Sequence, residues 1–301
     1  MIPRRDPIQK LPVAILGTGN IGSDLLIKVL RSPVLECRMF AGRHIDSHGI
    51  EMARGLGVPV SAGSLQSILD IKDEVSLVFD ATCALDHIKH APLLKEAGMT
   101  TVDLTPAKLG KMCVPAVNLE ECLDCSDVNM VTCGGQCSVP LAYAIAQANE
   151  DVEYIEAVAS VASRSAGPAT RGNLDEYLET TEFALREFCS CRSSKAMVIL
   201  NPAEPCITMQ TTVMAKVANP NMEKTRQMVD AMADRIRKYV PGYQLVMEPF
   251  HENGRLIVMV RVEGLGDYLP KYAGNLDILN CSAIAFAESK ARIQQSSNLG
   301  N

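Results

Sequence analysis

The stretch Leu11-Pro-Val-Ala-Ile-Leu-Gly-Thr-Gly-Asn-Ile-Gly22 limits what this chain can fold into more than any other. A largely apolar run leads directly into G-x-G-x-x-G, and Asp24 to Arg31 then repeat apolar residues at helical spacing. A strand that meets a helix N-terminus through such a turn is the dinucleotide fingerprint in the context it needs. Gly17 makes the tight turn, Gly19 lets backbone approach a pyrophosphate, and Gly22 lets helix and strand pack closely. The free N–H groups and dipole of the helix then hold the phosphate charge.

The residues that follow extend this pattern. Leu35 to Ala41 reads as a second strand, ending where an adenosine ribose would lie. The chain there carries Gly42-Arg43-His44 rather than the acidic residue usual for NAD, and the first acid is Asp46. Arg43 can pair with a 2′-phosphate, stack on adenine or face solvent, so NAD and NADP both stay open. Val75 to Asp80 and Thr100 to Leu104 are further strands, with a helix from Leu85 to Ala97 between them. Alternating strand and helix predict a parallel, doubly wound sheet. The segments Ala81-Thr82-Cys83 and Thr105-Pro106 would then sit at the carboxyl ends of strands, where such sheets bind ligands. His87 and His90 are expected on the solvent side of the crossover helix.

A second constellation is Met130-Val-Thr-Cys-Gly-Gly-Gln-Cys-Ser-Val-Pro140. Met130 and Val131 read as the end of a buried strand, Gly134 and Gly135 as a turn that brings backbone close to sulfur, and Pro140 as the first turn of a helix over Leu141 to Ala148. A thiol at such an entrance faces free N–H groups and a positive dipole, which favour thiolate and can cradle an oxyanion. Cys133 is therefore the candidate nucleophile, although most of the chain's 11 cysteines should be buried structural residues. Cys122 and Cys125 form a C-x-x-C with no second pair or histidine in metal-ligand spacing, so no metal is expected.

After this point the pattern changes. Strands are expected at Tyr154 to Ala162, Ala196 to Leu200, Thr208 to Val217, Gln244 to Met247 and Leu256 to Val262, the last two joined through Asn253-Gly254, a strong hairpin signal. Helices are expected over Leu174 to Phe188, Met222 to Tyr239 and Asn275 to Arg292, the last able to return onto the first half. The result is a mixed or antiparallel sheet with helices on one face and the other free for a partner subunit. Ser163 to Asn173 is a small, polar, glycine-containing loop directly after a strand, suited to wrapping a ligand.

Bulk properties exclude several classes of function. At 301 residues the chain exceeds one ordinary core and should form two intertwined domains. A net charge of −6 without a basic run argues against nucleic acid. The first residues have charge but no apolar core of a leader, and no window approaches a membrane span, so the expected compartment is the cytoplasm, with its thiols reduced.

Taken together, Gly-Thr-Gly-Asn-Ile-Gly (17–22), Val-Pro-Ala-Val-Asn-Leu (114–119), Asn-Met-Val-Thr-Cys-Gly-Gly-Gln (129–136), Ser-Ala-Gly-Pro-Ala-Thr-Arg-Gly-Asn (165–173), Leu-Asn-Pro-Ala-Glu-Pro (200–205) and Tyr-Ala-Gly-Asn-Leu-Asp-Ile (272–278) resemble the acylating acetaldehyde dehydrogenases, which partner a pyruvate aldolase in aromatic-compound degradation. The resemblance runs from about Val13 to Ala287 in the family's order. It implies a Rossmann domain over residues 1–132 completed by 273–301, and a catalytic and dimerisation domain over 133–272 of the glyceraldehyde-phosphate and semialdehyde dehydrogenase type. It implies that Cys133 attacks a short aldehyde, that a hydride passes to NAD or NADP, and that coenzyme A takes the acyl group. Cofactor contacts fall on Thr18, Gly19, Asn20, Ile21, Asn275 and the loop Ser165, Ala166, Gly167, Pro168, Ala169, Thr170, Arg171, Gly172 and Asn173. Asn173 and Leu174 match residues of the aldehyde pocket. A homodimer is the implied assembly.

Three departures accompany the resemblance. Gln210-Thr211 stands where the family usually has an Arg-Asp pair, which removes an acid expected near the nucleophile; His251 replaces it only if its hairpin folds back. Lys108 and Lys111 add positive charge near the cofactor. The connection from Pro249 to Leu256 looks short. These leave two further readings: a semialdehyde or acyl-phosphate reductase, and a dinucleotide-binding interaction protein that has lost turnover.

Overall fold

A computed structural model describes residues 10–299. The N-terminal stretch read above for a leader, and residues 300–301 of the expected C-terminal segment, lie outside the described residues. So do the side chains of Pro168, Ala169 and residues 297–299.

The first half alternates strand and helix: β1 (Leu11–Leu16), α1 (Asn20–Arg31), β2 (Leu35–Ala41), α2 (His48–Gly55), β3 (Val60–Ser61), α3 (Ser64–Leu69), β4 (Leu77–Asp80), α4 (Ala84–Glu96), β5 (Thr100–Asp103), β6 (Lys111–Met112), α5 (Pro115–Cys122) and β7 (Asp127–Asn129). The seven strands pair in parallel in the order β3-β2-β1-β4-β5-β7-β6. Strand order reverses between β1 and β4, which opens the crevice that a doubly wound sheet uses for ligands. β4 is buried along its whole length and β1 nearly so, because helices cover both faces; such strands read as apolar runs rather than alternation.

From α6 (Cys133–Ala148) the chain passes into β8 (Tyr154–Ala162), α7 (Pro168–Gly172), α8 (Leu174–Cys189), β9 (Ser193–Asn201), β10 (Met209–Lys216), α9 (Met222–Arg237), β11 (Tyr243–Glu252), β12 (Arg255–Val262) and α10 (Gly274–Leu299). The second sheet runs β11-β12-β10-β8-β9, antiparallel except for the parallel β8–β9 pair that α8 connects. Burial alternates along β8, β10 and β12: Ile155, Ala157, Val213 and Val258 face α6, α8 and α9, while Val158, Met197, Thr212 and Met259 line the outer face. Asn253 and Gly254 take φ 51° and 73°, the two left-handed residues a type I′ hairpin turn requires. Last in the chain, α10 returns to the first core, where Leu279, Ala283, Phe286 and Ala287 are buried among Val13, Leu25 and Val102.

The sequence reading needs three corrections. The strand before the cysteine motif ends at Asn129, so Met130 and Val131 form the connection rather than the strand. The helix begins at Cys133 and not near Pro140, which sits inside it; Thr132 is the N-cap and accepts the Gly135 N–H at 2.8 Å. The glycine pair is thus the helix's first turn. Third, His87 is fully buried and His90 half-buried, not on the solvent face. The first turns of α4 tuck beneath the ends of β4 and β5, where buried carboxylates need partners.

Candidate active site

The position of Cys133, the candidate nucleophile, follows from a backbone reversal. Val131 adopts φ 59°, a left-handed conformation that a β-branched side chain rarely accepts. Its N–H donates to Asn129 Oδ1 at 2.9 Å, and its side chain packs where a Cβ on Gly135 would come within 2.6 Å of it. This turn throws the chain from β7 into α6 and leaves Cys133 as the first helical residue. Thr132, Cys133 and Val131 share a wall of a cavity of about 70 Å³.

Other elements close that cavity. Ile21 comes from the fingerprint helix, Thr82-Cys83 and Thr105-Pro106 from the carboxyl ends of β4 and β5, and Leu276 and Leu279 from α10. Thr170, Asn173 and Tyr177 descend from the loop and helix after β8. None of the lining side chains is an acid, a base or an arginine. The Cys133 sulfur lies 3.9 Å from the Tyr177 hydroxyl. Burial pushes the thiol up to about 11, although the Tyr177 hydroxyl and the N–H groups of Gly134 and Cys133 itself pull against it. The helix entrance therefore does not by itself yield the thiolate expected from sequence; desolvation wins in the bare cavity.

Behind this uncharged space lies a charged one. Asp80, at the end of β4, accepts from Thr82 N at 3.1 Å, Thr82 Oγ1 at 2.5 Å and the Nδ1 atoms of His87 and His90, each at 2.9 Å. Burial opposes ionisation of Asp80, but these donors outweigh it and hold its carboxyl down at about 2. The His87 Nε2 lies 3.4 Å from Asp103 and 3.9 Å from Asp127. Burial lowers the His87 pKa, and the three carboxylates around the ring more than reverse that. Asp103 is raised to about 7 by burial, despite His87 and hydrogen bonds from Thr105 and Asn129. Asn129 joins the two regions: its amide nitrogen donates to Asp103 Oδ2 at 2.7 Å and Thr105 O at 2.8 Å, while its oxygen holds Val131. Sequence reasoning missed this network and Tyr177. The available signal was the strand-terminal Asp80 followed by His87 and His90, one helical turn apart.

Gly17 takes φ +113°, and a Cβ there would lie 2.5 Å from Ala81 O, so the fingerprint's tight turn demands glycine. Gly19 and Asn20 are exposed, and α1 has no side-chain cap, which leaves its N–H groups available to an anion. Arg43 is 73% exposed and 3.8 Å from Asp86. Asn275 is buried with its Oδ1 unpartnered, as is Thr105 Oγ1 on the cavity wall; the first can accept a hydrogen bond and the second can accept or donate one. These features fit a dinucleotide lying from α1 toward Cys133. The stretch expected as a loop after β8 is partly helical, with Pro168–Gly172 forming α7; there Ser165 donates to Ala162 O at 2.8 Å, and Arg171 turns back on Ala166 O and Ser163. Asn173 reaches the cavity, whereas Leu174 is half-buried beside it and not part of the wall. Of the Gln210-Thr211 pair, Gln210 faces outward, and Thr211 is buried against Cys137, one turn behind Cys133. His251 is exposed on edge strand β11 and does not line the cavity.

Around Lys28, the carboxylates Asp24, Asp267 and Asp277 gather closely enough to suggest a cation site, but the Lys28 ammonium already fills it, at 2.7, 3.2 and 2.7 Å. This cluster ties α1 to α10. Among the described residues no helix is long and apolar enough to cross a membrane.

Comparison with known proteins adds three findings. Residues 133–270 match the family model for the dimerisation region of prokaryotic acetaldehyde dehydrogenase. The chain is 56% identical to an acetaldehyde dehydrogenase of Spirochaeta aurantia over 94% of this chain and 95% of the other, and 52% identical to one of Pectobacterium atrosepticum over 93% and 95%. Among solved structures, it superposes on aspartate semialdehyde dehydrogenase II of Vibrio cholerae with a TM-score of 0.65 at 15% identity, covering 94% of this chain and 99% of that one. The Candida albicans aspartate semialdehyde dehydrogenase with NADP gives 0.64 at 13% identity, covering 93% and 99%. These two establish the shared fold.

Proposed function

The chain belongs to the acetaldehyde dehydrogenases, and from that premise we propose that it interconverts a short-chain aldehyde and its acyl-CoA through a covalent intermediate on Cys133. One observation carries this reading: Cys133 is the first residue of α6 and lines a small, uncharged cavity where the dinucleotide sheet meets α10. As a family member the protein is an aldehyde oxidoreductase that uses a nicotinamide dinucleotide. Residues 1–132 with 273–301 are the proposed dinucleotide domain, and 133–272 the catalytic and dimerisation domain.

In the proposed reaction the Cys133 thiolate adds to the aldehyde carbon, and the carbonyl oxygen takes up the negative charge. The Cys133 N–H at the start of α6 and the Thr105 hydroxyl are the proposed donors to that oxygen. A nicotinamide dinucleotide, when bound, would supply the acceptor for the hydride that leaves the same carbon, so that a thioester on Cys133 remains. The coenzyme A thiolate attacks the thioester carbon, the C–S bond to Cys133 breaks, and the acyl group departs as acyl-CoA. A thioester suits this sequence because it keeps acyl-transfer potential that an oxygen ester would lose. The leucines and Ile21 exclude water, which would hydrolyse the intermediate. The fingerprint turn, Asn275, Thr170 and Asn173 would hold the cofactor; Arg43, with no acid at the end of β2, keeps NADP open beside NAD.

The matched dimerisation region supports a homodimer, with the outer face of the second sheet as the proposed contact; Met197 and Ile199 are 41% and 51% exposed there. An aldolase that releases the aldehyde is the proposed partner, in aromatic-compound breakdown. The cytoplasm is the proposed compartment, in keeping with 11 free cysteines. The test is nicotinamide absorbance with coenzyme A, NAD or NADP, and a panel of short aldehydes. Coenzyme A-dependent reduction abolished in Cys133→Ala is the expected result. Dinucleotide binding without turnover on any aldehyde would instead favour the interaction-protein reading.

A further inference from the structure

The cavity poses a chemical problem: its nucleophile is a thiol raised by burial, and its walls hold no acid or base to draw off the proton. Thr211, where an acid was expected, is neutral and sits behind the helix against Cys137. The polar group that meets the sulfur is Tyr177, on α8. Its hydroxyl lies 3.9 Å from Cys133 Sγ, within hydrogen-bonding reach of sulfur, and such contacts tighten when a site is loaded.

Three features show that this hydroxyl is built into place. A Cβ on Gly134 would fall 2.0 Å from it, so the oxygen rests directly on the first turn of α6, and glycine is the residue that admits it. The dipole of the Gly134 N–H also acts on the same oxygen and favours its charged form. Behind the ring, Thr181 Oγ1 donates to Tyr177 O at 2.8 Å and meets Thr132 Oγ1, the cap of the catalytic helix, at 2.7 Å. Because Thr181 spends its proton on Tyr177 O, the Thr132 hydroxyl donates to Thr181 and accepts from Gly135. The cap of α6 and the backbone that carries Tyr177 are thus one hydrogen-bonded unit.

We propose that Tyr177 is a catalytic hydrogen-bond donor that holds the Cys133 sulfur as thiolate in place of a charged partner. This rests on the reading of Cys133 as nucleophile. The phenol, seated against the first turn of α6, donates its own proton to the thiolate sulfur. Tyr177 transfers no proton itself. Burial and the neighbouring Cys133 sulfur raise its ionisation well above the ordinary value of 10, which keeps it a donor throughout. The thiol proton leaves to a base in solution before the aldehyde enters.

The test measures the pH dependence of iodoacetamide labelling at Cys133, by peptide mass, in the parent, Tyr177→Phe and Gly134→Ala. Tyr177→Phe keeps the ring and removes the donor; Gly134→Ala pushes the hydroxyl away from the other side. Thermal melting confirms that each variant is folded. The labelling midpoint is expected to rise by about one pH unit in both, so that labelling and kcat/KM fall about tenfold at a fixed pH below it, with the KM for the dinucleotide unchanged. Superimposable pH profiles for the parent and both variants would overturn the proposal and leave Tyr177 as packing. Retained aldehyde turnover in Cys133→Ala would instead remove the nucleophile reading, and the labelling midpoints would still report whether Tyr177 acts on the sulfur.

Discussion

The cavity around Cys133 and the network around Asp80 are adjacent and opposite. The first holds a half-buried thiol among neutral walls. The second crowds Asp80, Asp103, Asp127, His87 and His90 beneath the strand ends that form part of those walls. The difference teaches where this fold places its charge. Carboxylates near the sulfur would repel a thiolate, so the acids lie behind the wall and fasten the turns at Thr82 and Thr105 through backbone N–H groups. In the proposed reading, chemistry is left to hydrogen-bond donors and rigidity to ions.

The sharpest way to break this division is Asp80→Asn. It leaves two imidazoles around a neutral amide in a buried site, and a loss of about 3–5 kcal/mol in unfolding free energy is expected by chemical denaturation. The labelling midpoint of Cys133 should hardly move. A large shift of that midpoint at unchanged stability would mean the two regions are one electrostatic site. Asn129→Ala tests their junction. Its loss strands Asp103 and the Val131 N–H, and each buried group left unpaired costs about 1–3 kcal/mol. Here both the denaturation midpoint and kcat should fall, because the strained Val131 turn positions Cys133.

Proton linkage gives a finer test. Asp103 titrates near 3.9 in an unfolded chain and near 7 here, so its contribution to stability falls as pH rises from about 4 to 7, by at most about 1.4 kcal/mol per pH unit. His87, raised above 6.5, adds stability below 6.5 that is lost as pH climbs through its folded value. Asp80, lowered to about 2, works in the other direction: its stabilisation is present above about 4 and disappears as pH falls toward 2. Asp103→Asn is expected to flatten the slope of melting temperature between pH 4 and 7; an unchanged slope would place the responsible charge elsewhere. The smallest expected effect is from Thr132→Ala, about 1 kcal/mol for a lost helix cap. It should slow Cys133 labelling more than its stability cost suggests, since the same hydroxyl braces Thr181 and Tyr177.

Much of this architecture was legible in the sequence because it depends on local rules. β2 and β8 begin and end where the apolar pattern does, and Asn253-Gly254 makes the turn its dihedrals require. The position of Cys133 at a helix start was legible too, but for an incomplete reason: Pro140 suggests the first turn, whereas Thr132 capping Gly135 sets it nearly two turns earlier. The unread parts depend on long-range placement. His87 looks like a surface residue by helical periodicity, and only the packing of α4 under β4 and β5 makes it a partner for Asp103, which is 16 positions away in the numbering. Tyr177 has no local signature beyond its glycine counterpart at 134.

The return of α10 to the first core also constrains how the protein can be made. The dinucleotide sheet is fully synthesised by Asn129, yet the hydrophobic strip that seals it, and the leucines that close the cavity, arrive only after Gly274. At the usual pace of translation that gap lasts on the order of ten seconds. During that interval the nascent first half lacks the cover that Leu279, Ala283, Phe286 and Ala287 later give its apolar flank, and Cys133 lacks the two leucines of α10 in its cavity wall.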